Sequence, residues 1–356
     1  MSDVVGARTL EIGSSPHIVR GRSVDDIMRN VVWALLPATA FGIWAFGWAG
    51  LLTLATALGS CLLAERVACR LTARPSTLSD WSVAITGLLY GLTLPPTLPL
   101  WMVAVGGIFG VAVGKALFGG LGSNAFNPAL VGRAFDQAAF PVAMTTWAPA
   151  FADDRFATVP ASTLTLPFAQ PAETVRAAVD GFSGATPLSA WKFDREVTDA
   201  ADAALGFVAG STGETCALLI LLGGLYLVAR RMMSWRIPVA VLGAVFVLSG
   251  ALHLAAPASY ASPLFHLAAG GLMLGAVFMA TDLVASPMTH LGLWLYGALI
   301  GALVVAIRTW GGMPEGVMYA ILLANAAAPL IDRAIQPRVY GTTGRAHRAA
   351  APKGAS

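Results

Sequence analysis

The chain has 356 residues, of which 56% are apolar and only 12% charged, with a mean hydropathy of +0.71. Soluble domains carry charge at about a quarter of their positions, so this composition excludes an ordinary soluble domain and indicates an all-α polytopic membrane protein. The net charge of +3 is small and its basic residues gather between apolar segments, which speaks to orientation in a lipid bilayer and leaves no nucleic acid expected as a partner.

Residues 1–23 are polar and basic and read as a cytoplasmic arm; with Asp3 and Glu11 and no apolar core, no cleavable signal peptide is expected there. Apolar segments are predicted at about 27–47 and 51–69, after which Arg66, Arg70 and Arg74 mark the return to the cytoplasm. A third, about 81–94, falls short of the ~20 residues of a comfortable span. It stops at Pro95-Pro96, where two backbone donors are lost. A fourth covers about 100–118, and a fifth opens near Asn124, where Pro128 suits a first helical turn. The interval 141–213 differs: it holds eight of the 19 acidic residues and several prolines, and is long enough for a small folded lobe. Five more segments follow at about 214–229, 238–256, 263–280, 291–307 and 315–335, before a basic tail over 337–356 whose Ala/Gly/Arg/Pro composition predicts disorder.

About ten transmembrane helices result. With the N-terminus inside, they put most of the 22 basic residues on the inner face and 141–213 outside, as the positive-inside rule requires. The two halves, 24–140 and 214–336, are similar. Gly87-Leu88-Leu89-Tyr90-Gly91 matches Gly271-Leu272-Met273-Leu274-Gly275, and each is followed by a Trp-bearing helix (Trp101, Trp294). A segment with an asparagine and a proline then follows in each half (Asn127-Pro128; Asn325 with Pro329). One half starts inside and the other outside, so the expected architecture is two inverted five-helix repeats. Binding sites in such folds lie at broken helices between the repeats.

The stretch Asp180-Gly181-Phe182-Ser183-Gly184-Ala185-Thr186 reads as a turn built from an Asp, two glycines and small residues, with free N–H groups and hydroxyls suited to an anionic group such as phosphate. It resembles the flavinylation motif of membrane flavoproteins. The chain around it is similar to the D subunit of Rnf electron-transport complexes and to its relative, the B subunit of the sodium-pumping NADH:quinone reductase. The likeness also rests on Ser15-Pro16-His17, Leu94-Pro95-Pro96, Asn124-Ala125-Phe126-Asn127-Pro128-Ala129, Gly213-Glu214-Thr215 and Ala280-Thr281-Asp282. The resemblance implies a urea-channel-like fold and FMN joined to Thr186 by a phosphoester. A flavin transferase would read Asp180, Gly181, Ser183, Gly184 and Ala185. It further implies a second, non-covalent flavin, riboflavin, within the helix bundle. The assembly would lie in a bacterial inner membrane, with the flavin loop periplasmic and with iron–sulfur and flavin subunits as partners. It would couple electron flow between ferredoxin and NAD to Na⁺ or H⁺ movement. The quinone-reductase subunit and a urea-channel-like solute transporter are the alternatives; a purified flavoprotein is yellow, a channel colourless.

No Gly-rich nucleotide fingerprint is present, so this chain would not itself bind NADH. Three cysteines (Cys61, Cys69, Cys216) fall short of the about four thiolates of an iron–sulfur cluster and read as packing residues, and no metal site is expected. Lys115, Asn124, Asn127, Glu214, Asp282 and Asn325 sit in or at the ends of apolar segments. A charge at the bilayer centre costs about 2.5–3.5 kcal/mol, so it generally has a partner or a function. Lys115 and Glu214 read equally well as interfacial. Asp282 occupies a helix break that the repeat pairs with Pro95-Pro96, and is expected on a cofactor or ion path, with Asn124 and Asn127 as the next positions for the second flavin. Arg176 and Lys192 would either offset the flavin phosphate or lie on the surface.

Overall fold

The computed structural model describes residues 23–73, 77–160, 162–167, 185–196, 202–203, 206, 208–214 and 216–336; the predicted N-terminal arm and basic tail lie outside them. Twelve α-helices and no β-strand occur among the described residues.

Helix α1 spans Val24–Leu71, 48 residues, which as one rod would run about 72 Å, over twice the ~30 Å hydrocarbon core. It reverses at Gly47 (φ 61°, ψ −137°). A Cβ on Gly50 would lie 3.4 Å from the Gly42 carbonyl oxygen, a separation of about 12 Å in a straight helix. Gly47 has no substitute, since its φ is left-handed and any Cβ would strike the Arg155 carbonyl. The two predicted segments are therefore a helical hairpin.

The first half continues with α2 (Ser82–Leu92), α3 (Leu100–Val111, extended by a π turn over Ala112–Ala116), α4 (Pro128–Ala139) and α5 (Pro141–Met144). Helix α6 (Pro187–Ser189) runs into a π turn, Ala190–Asp194. The second half comprises α7 (Ala217–Ala229), α8 (Arg236–Ala255), α9 (Pro263–Ala268), α10 (Leu272–Leu274, extended by a π turn over Gly275–Met279), α11 (His290–Trp310) and α12 (Val317–Ala334). Helices α1, α8, α11 and α12 are long and apolar enough to cross a membrane. Their outward side chains, such as Trp33, Leu63, Val247 and Leu330, are exposed and apolar, as lipid contact requires.

Small residues set the helix contacts. A Cβ on Gly107 of α3 would press on Ser60 and Cys61 of the α1 hairpin, and one on Gly297 or Gly301 of α11 would press on Ala240 or Ala244 of α8. In each half the fourth segment thus packs on the second, and it packs on the fifth as well.

The stretch 263–280, expected as one span, is broken. Gly270 takes φ 73° and α9 stops at Ala268. The freed groups are captured by buried charge: Arg308 donates to the carbonyls of His266 (2.6 Å) and Ala269 (2.9 Å), and the Gly271 N–H donates to Glu315 (2.6 Å). Backbone broken within apolar surroundings must find such partners. The break at Pro95-Pro96 finds different ones. Gly213 N–H donates to the Leu92 carbonyl (2.6 Å), Thr212 N–H to that of Leu94 (3.2 Å), and the Thr53 hydroxyl to that of Pro96 (3.1 Å).

Two described parts of 141–213 lie on helix ends, apart from the stretch around Thr212 that meets the Pro95-Pro96 break. Trp48 N–H donates to the Arg155 carbonyl (3.0 Å) and Phe151 N–H to that of Ala45 (2.9 Å), closing a cap over the α1 reversal. Leu188 and Trp191 pack with Ala261, Phe265 and Ala269 at the end of the second half.

Candidate functional site

Thr186 is the residue just before α6. Its backbone is extended (φ −68°, ψ 153°) and its Oγ accepts the Ser189 N–H at 3.2 Å, which makes it the N-cap. Pro187 at the first helical position needs no donor, so the sequence Thr-Pro-x-Ser folds locally into a capped turn. Thr186 is buried while its neighbour Ala185 is exposed. Phosphoester formation would remove the hydroxyl proton and keep the acceptor lone pair, so the Ser189 bond is compatible with an attached phosphate. Asp180, Gly181, Ser183 and Gly184, like Arg176, lie outside the described residues.

The turn after Thr186 is fastened by Lys192. Its ammonium donates to the carbonyls of Ile307 (3.4 Å), Arg308 (3.1 Å), Gly311 (2.5 Å) and Met313 (2.9 Å). It therefore satisfies the free carbonyls at the C-terminus of α11. Partial burial lowers its pKa below the ordinary lysine value. Lys192 anchors the segment and does not belong to a phosphate cradle.

A second feature is a cleft near the opposite ends of these helices, with a cavity volume of about 120 Å³, smaller than the usual small-molecule site. Both membrane π turns border it, through Lys115 and Phe278, and π turns inside helices are frequent at functional sites. The cleft gathers Asn124, Asn127 and Asp282. Asn124 Nδ2 donates to Asp282 at 3.3 Å, and Asp282 also accepts the Val284 N–H at 3.0 Å. Asn127 caps α4 through the Ala129 N–H (3.0 Å) and donates to the Met279 carbonyl across the halves (3.3 Å). Turned as its neighbours dictate, the Asn325 amide accepts the Asn127 N–H at 3.2 Å, so the asparagines of the two fifth segments meet. The pairing expected of Asp282 with the Pro95-Pro96 break is not what the fold builds: Asp282 meets Asn124, and the prolines meet the stretch around Thr212.

Lys115 is neither interfacial nor free. It forms a buried ion pair with Glu65 at 2.8 Å and donates to the Ser82 hydroxyl, also at 2.8 Å. Glu65, held as well by the Thr77 hydroxyl, escaped the sequence reading; the available signal was a lone carboxylate one turn from the end of an apolar run. Arg308, Glu315 and His266 were missed too, because each looks interfacial until the break at Gly270 draws the chain around it. Asp136, which accepts a hydrogen bond from the Tyr90 hydroxyl beneath α3, carried no motif, and Tyr90 stood out only as part of the repeat pattern. Among the described residues no cluster of His, Cys, Asp and Glu has the makings of a metal site.

The model of the NQR2, RnfD, RnfE family matches residues 11–341. The chain is 40% identical over 343 residues to the D subunit of the ion-translocating oxidoreductase complex of Shewanella amazonensis, covering 94% of this chain and 99% of that one. It is 41% identical over 336 residues to the protein of the same name from Stutzerimonas stutzeri (91% and 94% covered). It is also 40% identical over 331 residues to the D subunit of the proton-translocating ferredoxin:NAD(+) oxidoreductase complex of Clostridium ljungdahlii (93% and 96% covered).

Proposed function

Since the chain belongs to the NQR2, RnfD, RnfE family, we propose that it is the D subunit of an Rnf-type ion-translocating oxidoreductase, carrying electrons as one subunit of a translocase. The observation that carries this reading is the near end-to-end match to relatives that bear the D-subunit name, in both directions of coverage. The D-subunit name borne by all three of these relatives favours it over the quinone-reductase subunit. Its partners are then the other Rnf subunits, with iron–sulfur and flavin groups, and a flavin transferase during maturation.

In this reading Thr186 holds FMN through a phosphoester, and a second flavin, riboflavin, occupies the cleft. When bound, a flavin supplies one- and two-electron redox chemistry. The residues supply binding and position. Lys192 and the capped turn fix the attachment point, while Asn124 and Asp282 offer hydrogen bonds to a polar ring edge and Phe278 offers an apolar wall. Two sites on opposite faces of a ~30 Å core divide a distance too long for one efficient electron hop.

The test of the cleft is Asp282→Ala. Losing a hydrogen bond to a charged group costs about 1.5–3 kcal/mol, so retention of acid-extractable flavin through purification should weaken at least tenfold, with Thr186-linked flavin unchanged. Full extractable flavin and full electron transfer in the variant would make Asp282 a structural residue of the broken helix.

Sidedness is tested separately. With Cys69 changed to Ser, a cysteine at the exposed Ala157 should react with an impermeant maleimide in intact spheroplasts, and one at the exposed Thr72 only after lysis. The reverse pattern would place the flavin loop in the cytoplasm.

A further inference from the structure

The stretch that anchors the attachment turn also covers a buried group of charges unused by the function above. Glu214 precedes α7 and Glu315 precedes α12. A Cβ placed on Gly271 would lie 3.4 Å from Glu214 Oε1 and 3.3 Å from Glu315 Oε1, so the two carboxyl groups approach the same point. Glu214 is only 8% exposed; its Oε2 takes the Ser211 N–H at 3.4 Å, and its Oε1 has no partner among the described protein donors. Glu315 Oε1 already accepts the Gly271 N–H.

The cations nearby do not close this gap. Arg308 spends its two terminal nitrogens on the His266 and Ala269 carbonyls and stands 3.7 Å from Glu315. Arg133 of α4 stands 4.0 Å from the other oxygen of Glu315. His266 of α9 and Tyr319 of α12 are the remaining titratable groups, acting on Arg308 and Arg133 respectively. Two carboxylates that approach one point repel each other unless one is protonated, and its O–H can then donate to the other.

We propose that Glu214 and Glu315 form a proton-binding site, one proton shared between the two carboxyls with Arg133 and Arg308 balancing the remaining negative charge. Glu315 keeps 19% of its side-chain exposure, so exchange with water runs through its side. The site adjoins the attachment turn: a Cβ on Gly270 would meet Leu188 on one side and Glu315 on the other. If Thr186 carries flavin, as proposed above, added negative charge there favours a second proton on the pair, and by reciprocity protonation favours reduction.

The test is infrared spectroscopy of the purified complex, read as a protonated-carboxyl C=O band that shifts in D₂O. ¹³C-glutamate labelling of the unmutated protein should shift this band, and Glu214→Gln and Glu315→Gln should each remove the same component, whereas Asp282→Asn should leave it. The band must persist in Thr186→Ala, so the site stands or falls apart from the flavin. Reduction with dithionite should change the band in the unmutated protein and not in Thr186→Ala. A labelled protein with no shifted band overturns the proposal. So does a band that appears only when Na⁺ is removed, which would assign the pair to a metal cation. An unchanged band on reduction of a fluorescent, flavin-bearing protein removes the coupling.

Discussion

Thr186→Ala is expected to abolish the ultraviolet fluorescence of the denatured subunit on a gel, while the protein still inserts and keeps its helices. The expectation is all-or-none because a phosphoester needs the hydroxyl oxygen and alanine has none. The structural penalty is small by comparison: an N-cap Thr→Ala costs about 0.5–2 kcal/mol, and here the cap closes a helix of three residues. Thr186→Ser separates the two roles, since serine restores both the cap and the oxygen; it should recover the cap fully and modification at least in part. Fluorescence that persists in Thr186→Ala would remove Thr186 as the attachment point and turn attention to Ser183 and Ser189.

Lys115→Met should destabilise the protein by about 3–5 kcal/mol, the cost of leaving a buried charge without its partner. The side chains of Lys115 and Glu65 are 3% and 5% exposed, so solvent does not soften the loss. Glu65 would keep only the Thr77 hydroxyl. Glu65→Met should cost a similar amount, leaving Lys115 the Ser82 hydroxyl. The double variant should recover most of the loss, because two apolar side chains of like volume replace the pair without an orphaned charge. The apparent unfolding midpoint in mild detergent, followed by tryptophan fluorescence, measures all three. Single variants that lose less than about 1 kcal/mol would place the pair in the range of solvated ion pairs. Because Lys115 also borders the cleft, its loss should reduce extractable flavin, whereas loss of Thr186 should not.

The α1 hairpin shows how far pattern reading reaches. Two apolar runs separated by Gly47-Trp48-Ala49-Gly50 predict a turn, and the fold makes one at Gly47, with a backbone only glycine adopts. The helix after Pro99, the cap at Asn127-Pro128 and the stop near Leu94 are legible for the same reason: proline and capping residues act through neighbours in the chain. The break at Gly270 is not legible in that way. The run from Pro263 to Ala280 is apolar enough for a continuous helix, and its one local sign of interruption is Gly270-Gly271; what makes interruption tolerable is Arg308 and Glu315, some 40 residues later.

Composition and charge distribution by themselves determined that the chain is an all-helical membrane protein, and the short motif ending at Thr186 supplied the attachment point proposed above. The tertiary structure decided which polar residues share a site. Lys115 went to Glu65, Asn124 to Asp282, and Lys192 to the carbonyls that end α11. The physical reason is range. Hydropathy and capping are properties of a few consecutive residues, whereas a buried charge is stabilised by whichever opposite charge or donor the packed helices bring within about 4 Å, and that partner can stand anywhere in the sequence.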